Sequence, residues 1–71
     1  MQNEIEEIRT DFVDDQNLKY IDCFFKGTEE GKTIAVVDLD TNKVIFFDNF
    51  FRLNSRVLKE IDNIRDKNSI K

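Results

Sequence analysis

Histidine is absent from the chain, cysteine occurs once, at Cys23, and glycine twice, at Gly27 and Gly31. Each scarcity removes a class of chemistry. One cysteine cannot close a disulfide within a single chain, and without histidine a zinc site of the usual Cys/His kind is excluded. There is no glycine-rich phosphate loop, and no serine or cysteine stands in a motif with an activating base, so no catalytic constellation is legible and neither an enzyme nor a cofactor is expected. No apolar run approaches the ~18 residues of a membrane span, and the opening Met1-Gln-Asn-Glu4 is not a basic start leading into an apolar core. A soluble, cytoplasmic protein is expected, and a lone cysteine fits a reducing compartment.

The 71 residues leave room for one domain, spanning 1–71, with one small core. A chain of this size buries only about 60% of the surface it exposes when unfolded. Tight packing and oligomerisation are the remaining sources of stability. Charged residues make up 37%, hydrophobic residues 39%, and there are seven Phe, a composition that folds. Asn, Lys and Ile are abundant, as in proteins of AT-rich bacteria and their phages. The net charge of -4 is unevenly spread. Residues 1–51 carry twelve Asp/Glu against five Lys/Arg, and residues 52–71 carry three Asp/Glu against six Lys/Arg. The acidic balance argues against non-specific nucleic-acid binding, while the basic C-terminal segment keeps a weak form of it open.

Along the chain, Ile5 and Ile8 stand three apart, with Met1 and Phe12 extending the stripe and Glu4, Glu6 and Glu7 where a helix N-terminus favours acids, which predicts a short helix over 2–10. The alternation of Ile8, Thr10 and Phe12 supports a strand instead. Leu18–Lys26, Thr33–Leu39 and Lys43–Asp48 read as strands. Gly27-Thr-Glu-Glu-Gly31 closes the first hairpin, and Asp40-Thr41-Asn42 the second, with Asn42 in the left-handed region. Asn54 or Ser55 caps a helix that carries Val57, Leu58, Ile61 and Ile64 on one face and ends near Lys67. The fold class is α+β: a small antiparallel meander of three or four strands with the C-terminal helix on one face, αβββα or alternatively ββββα.

A three-residue loop at 40–42 sets Leu39 opposite Lys43, Val37 opposite Ile45 and Ala35 opposite Phe47. Centring the first hairpin on 27–31 sets Phe25 opposite Thr33, Cys23 opposite Ala35 and Ile21 opposite Val37. The helix-bearing face then holds Ile21, Cys23, Phe25, Ala35, Val37, Leu39, Ile45 and Phe47. The second face holds Tyr20, Asp22, Phe24, Ile34, Val36, Asp38, Val44, Phe46 and Asp48. A solvated sheet face is normally polar, and this one is not. Its cover is expected to be the N-terminal segment, through Ile5, Ile8 and Phe12, or a second chain.

Asp38-Leu-Asp40 resembles the nucleophile motif of aspartate-based phosphotransferases, but Asn42 occupies the place of the required Thr or Val, and the chain is too short for the rest of that site. Asp38, Asp40 and Asn42 also begin like a calcium loop. Lys43 replaces its glycine and Asn49 its bidentate glutamate, so a turn is expected. Asp22 and Asp38 are placed near each other diagonally, with Tyr20 across from Asp38, as a carboxylate pair that could hold a metal or share a proton. Solvated edges of an interface are the preferred reading, and no metal ligand is assigned. The functional expectation is a non-enzymatic, acidic protein-interaction module, an adaptor or inhibitor of the phage or mobile-element type, that self-associates as a dimer or binds a protein through the second face. The alternative is a DNA mimic, or phosphate contact through Arg52, Arg56, Lys59, Arg65 and Lys67. Membrane binding is not expected.

Overall fold

The computed structural model describes residues 4–69, so Met1 at the head of the proposed stripe lies outside the described residues. The elements run β1 (Ile5–Arg9), β2 (Leu18–Phe25), β3 (Gly31–Asp38), β4 (Lys43–Phe46), a 3-10 turn (Asn49–Phe51) and α1 (Ser55–Ser69). The four strands form one antiparallel sheet in the order β1-β2-β3-β4. The architecture is therefore the α+β meander with a C-terminal helix, in its ββββα form.

The short helix over 2–10 is corrected to an edge strand, and a bulge explains the misleading spacing. Ile5 pairs with Phe25 but Glu7 with Phe24, so β1 carries an extra residue at Glu6. In a regular strand, residues three apart face opposite ways. The bulge advances the phase by one, and Ile5 and Ile8 both reach the helix side of the sheet, where Ile5 is buried and Ile8 packs against the core. A bulged strand therefore imitates half a helical repeat. The expected cover of the second face by Ile5 and Ile8 is overturned with it.

A second bulge lies in β3. Ile21 pairs with Ala35 and Asp22 with Thr33, which leaves Ile34 as the extra residue. Ile34, Ala35 and Val37 all join the core, while Val36, also buried, is not part of that cluster. The core is completed by Ile5, Ile21, Cys23, Phe51, Val57, Ile61 and Ile64. Asn54 starts α1 by accepting the main-chain N–H groups of Arg56 and Val57 on Oδ1. This satisfies two donors that a helix N-terminus leaves unpaired. Val57, Ile61 and Ile64 then face the sheet at helical spacing. Arg56 reaches back to donate from Nη1 to the carbonyl of Ile5.

Gly27 adopts φ of 83° in the first hairpin, as the turn requires. Gly31 serves a different purpose: a Cβ there would sit 2.6 Å from the ring of Phe24, its cross-strand partner. Cys23 is fully buried on the core face, and burial pushes its thiol up to about 11. A thiol probe at pH 8 is therefore expected to label the native protein far more slowly than the denatured chain. Labelling at the denatured rate without denaturant would remove Cys23 from the core.

Candidate interaction face

The β3–β4 register decides which residues the open face displays. Asp38 pairs with Lys43, Val37 with Val44, Val36 with Ile45 and Ala35 with Phe46. The loop is thus Leu39–Asn42, one residue longer than the expected Asp40–Asn42. Its cause is local: the Asp38 carboxylate accepts the N–H of Asp40 at 2.9 Å, starting the turn one residue early. Asn42 does occupy the left-handed region, at φ 67°.

One residue of slip exchanges the faces of a strand. Val44 and Phe46, expected on the second face, pack instead against the core. Ile45 and Phe47, expected inside, are exposed at 50% and 62%. Ile34 also moves to the core side, through the β3 bulge. Asp48 leaves the sheet altogether. Its carboxylate accepts the N–H of Phe50, capping the 3-10 turn, and meets Lys32 Nζ at 2.7 Å. Those contacts, Lys32 first, hold its pKa below the usual carboxylate range.

Tyr20, Asp22, Phe24, Val36 and Asp38 remain on the second face as expected, but not with the expected neighbours. Asp22 pairs across the sheet with Thr33, whose hydroxyl donates to Oδ1, whereas Asp38 pairs with Leu18. Strand position thus separates the two carboxylates, so the proposed pair is not formed. Tyr20 pairs with Val36, not Asp38, and its hydroxyl donates to Asp14 Oδ2 at 3.1 Å. That bond raises the Tyr20 pKa, while Asp14 is held low chiefly by the main-chain N–H of Leu18. Phe24 is partly shielded by the Arg9 guanidinium, 4.7 Å above its ring.

What remains is a narrow apolar band across the sheet. Phe12 meets Tyr20 edge-on with ring centroids 5.1 Å apart, Tyr20 pairs with Val36, and Val36 pairs with Ile45. Phe47, two residues on from Ile45 and just past the end of β4, is exposed beside it. Val36, in the middle, is only 1% exposed, so its neighbours close over it while the ends of the band stay open. Of the N-terminal residues expected over this face, Phe12 alone is there, against Tyr20, whereas Ile45 and Phe47 were not expected on it. The signal that could have found Ile45 and Phe47 was Asp38, an Asx-turn former at the start of a loop.

The aspartates of the Asp38-Leu-Asp40 stretch are occupied by the fold. Asp40 Oδ1 accepts Asn17 Nδ2, and Asn42 ties the turn to α1 through Arg65, Asn68 and Ser69. An open hollow of about 460 Å³ lies between α1 and the end of β1, walled partly by Asp11, Lys19, Glu60, Asn63 and Lys67. Its charges are mixed, and it opens on the helix side of the sheet, away from the band. Among the described residues, no helix is long and apolar enough to cross a membrane. Comparison with protein-family models, curated proteins and solved structures finds no match.

Proposed function

We propose that the chain is a non-enzymatic protein-interaction module whose working surface is the outer sheet face and its β4 border. The observation that carries this reading is the band from Phe12 through Tyr20 and Val36 to Ile45 and Phe47, whose ends at Phe12, Ile45 and Phe47 stay exposed while its middle at Val36 is closed over. Apolar surface left open at one end of a sheet gains roughly 25 cal/mol per Å² when a partner removes it from water. The flanking groups suit a protein contact, because Asp22, Asp38 and Lys43 rim the band with charge as the edge of an interface requires. Several titratable groups nearby already have partners within the fold, Asp14 with Tyr20 and Asp22 with Thr33. On α1, Arg56 is committed to Ile5, and Glu60, Asp62 and Asp66 interrupt the remaining basic residues. This favours protein contact over phosphate contact.

A photocrosslinking side chain at position 45, compared with one at position 59 on α1, tests the reading in cells. Covalent adducts to protein, a second copy included, are expected from position 45 and not from position 59. Equal yields from both, or none from 45, would remove the outer face as the working surface.

A further inference from the structure

The geometry points to a specific occupant of the β4 border: a second copy of this chain, paired antiparallel through β4 so that two four-stranded sheets become one. This rests on the interaction-face reading above and goes further, naming partner and register. The N–H groups of Phe47 and Asp48 both point to the carbonyl of Ile34. Antiparallel pairing alternates, so Ile45 and Lys43 likewise turn their main-chain groups toward β3. Val44 and Phe46 must then aim theirs outward, and among the described residues no turn or loop main-chain bond uses them.

The two sheet borders are not alike. β1 is bulged, bears Glu6, Glu7 and Arg9, and has the outward carbonyl of Ile5 filled by Arg56. These are the devices that keep an edge strand from pairing. β4 has no bulge against β3 and one charge, Lys43, within Lys43–Phe46.

Symmetry then selects the register. A two-fold axis relating antiparallel edge strands stands perpendicular to the sheet, and facing residues share a side. Three centres put outward groups opposite outward groups: Val44, Ile45 and Phe46. Centring on Val44 sets Phe46 against Asn42, whose N–H is already given to the carbonyl of Asp38. Centring on Phe46 sets Val44 against Asp48, whose N–H is already directed at Ile34. Centring on Ile45 sets Val44 against Phe46 of the second copy, twice, and satisfies every outward group in reciprocal pairs. On the outer face Ile45 then meets its own copy, and Lys43 lies across from Phe47 of the second copy, a cation beside an aromatic ring. On the inner face Val44 meets Phe46, joining the two cores. The paired stretch is short, so the dimer is weak, in the micromolar range and not the nanomolar.

The test is amide hydrogen exchange of the unmodified protein between ~10 μM and ~1 mM, read residue by residue, beside oxidation of Ile45→Cys. The amides of Val44 and Phe46 are expected to slow as concentration rises while the exposed amides of Glu29 and Glu30 do not. Ile45→Cys is expected to form a disulfide-linked dimer, since facing residues at such a position lie ~4.5 Å apart, within disulfide reach. Thr41→Cys is expected not to do so. Concentration-independent exchange at Val44 and Phe46 would overturn the pairing, as would oxidation of Thr41→Cys as fast as Ile45→Cys. If exchange does not change while the position-45 crosslinker still captures protein, only the self-pairing fails. If neither responds, the interaction-face reading fails as well.

Discussion

Replacing Phe46 by Asp is expected to abolish the cooperative thermal transition, whereas Phe47→Asp should leave it nearly in place. The residues are neighbours of the same type, so composition and local propensity cancel, and only the face differs. Phe46 is partly buried against the core, while Phe47 is 62% exposed. Truncating a core Phe costs about 3–5 kcal/mol, and a carboxylate left against the apolar core adds the desolvation of a charge without a partner. A domain of this length has roughly 4–10 kcal/mol of stability in all, at ~0.05–0.15 kcal/mol per residue. The Phe46 variant therefore loses most of its stability. An exposed substitution such as Phe47→Asp stays within about 0.5 kcal/mol, a shift of a few degrees. Melts followed by circular dichroism at low micromolar concentration, where self-pairing is minimal, separate the two. The three-residue loop expected from Asp40-Thr41-Asn42 predicts the opposite order, so equal or reversed effects would reject the register with Asp38 against Lys43.

That contrast marks where the sequence was legible and where it was not. The C-terminal helix was plain because Asn54, Val57, Ile61 and Ile64 combine a cap with helical spacing. β2 was plain because Ile21 and Cys23 alternate with Tyr20 and Asp22. The left-handed Asn42 could be read from turn chemistry alone, and Cys23 fell inside as expected. What failed was phase. Alternation fixes a face only where polar residues interrupt it, and Ile34-Ala35-Val36-Val37 and Val44-Ile45-Phe46-Phe47 have no interruptions. In the first run a bulge, and in the second a loop longer by one residue, changed sides without leaving a trace in the pattern. Most of the nominated face survived, in Tyr20, Asp22, Phe24, Val36 and Asp38. Its most apolar members, Ile34, Val44 and Phe46, went to the core, which reduces a broad apolar surface to a band. The same errors of phase hid Ile45 and Phe47, the two residues on which the proposed contact depends.

Substitutions at Asn42 should separate what its backbone does from what its side chain does. The turn conformation alone, with φ at 67°, predicts that Asn42→Gly is neutral or stabilising. The structure reverses that expectation. Asn42 Nδ2 donates to the carbonyl of Arg65 at 3.3 Å and to Ser69 Oγ at 3.1 Å, and its Oδ1 accepts Asn68 Nδ2 at 3.0 Å. Asn68 also donates to the carbonyl of Leu39 at 2.7 Å. The loop is thus clasped to the last turn of α1, as Arg56 ties its first turn to Ile5 of β1. Glycine keeps the conformation but opens the clasp, and a loss of about 1 kcal/mol is expected for hydrogen bonds of this exposure. Asn68→Ala should cost a similar amount without touching the turn. Asn42→Val opens the clasp and also forces a β-branched side chain into the left-handed region, which adds ~1–2 kcal/mol. The expected order of stability is therefore parent, then Asn42→Gly and Asn68→Ala together, then Asn42→Val. Added calcium should leave all four unchanged, because Asp38 and Asp40 are already engaged by Asp40 N and Asn17 Nδ2. If Asn42→Gly melts at or above the parent while Asn68→Ala does not, the side chain of Asn42 contributes nothing to the clasp. In that case Asn68 holds the helix to the turn through Leu39 alone.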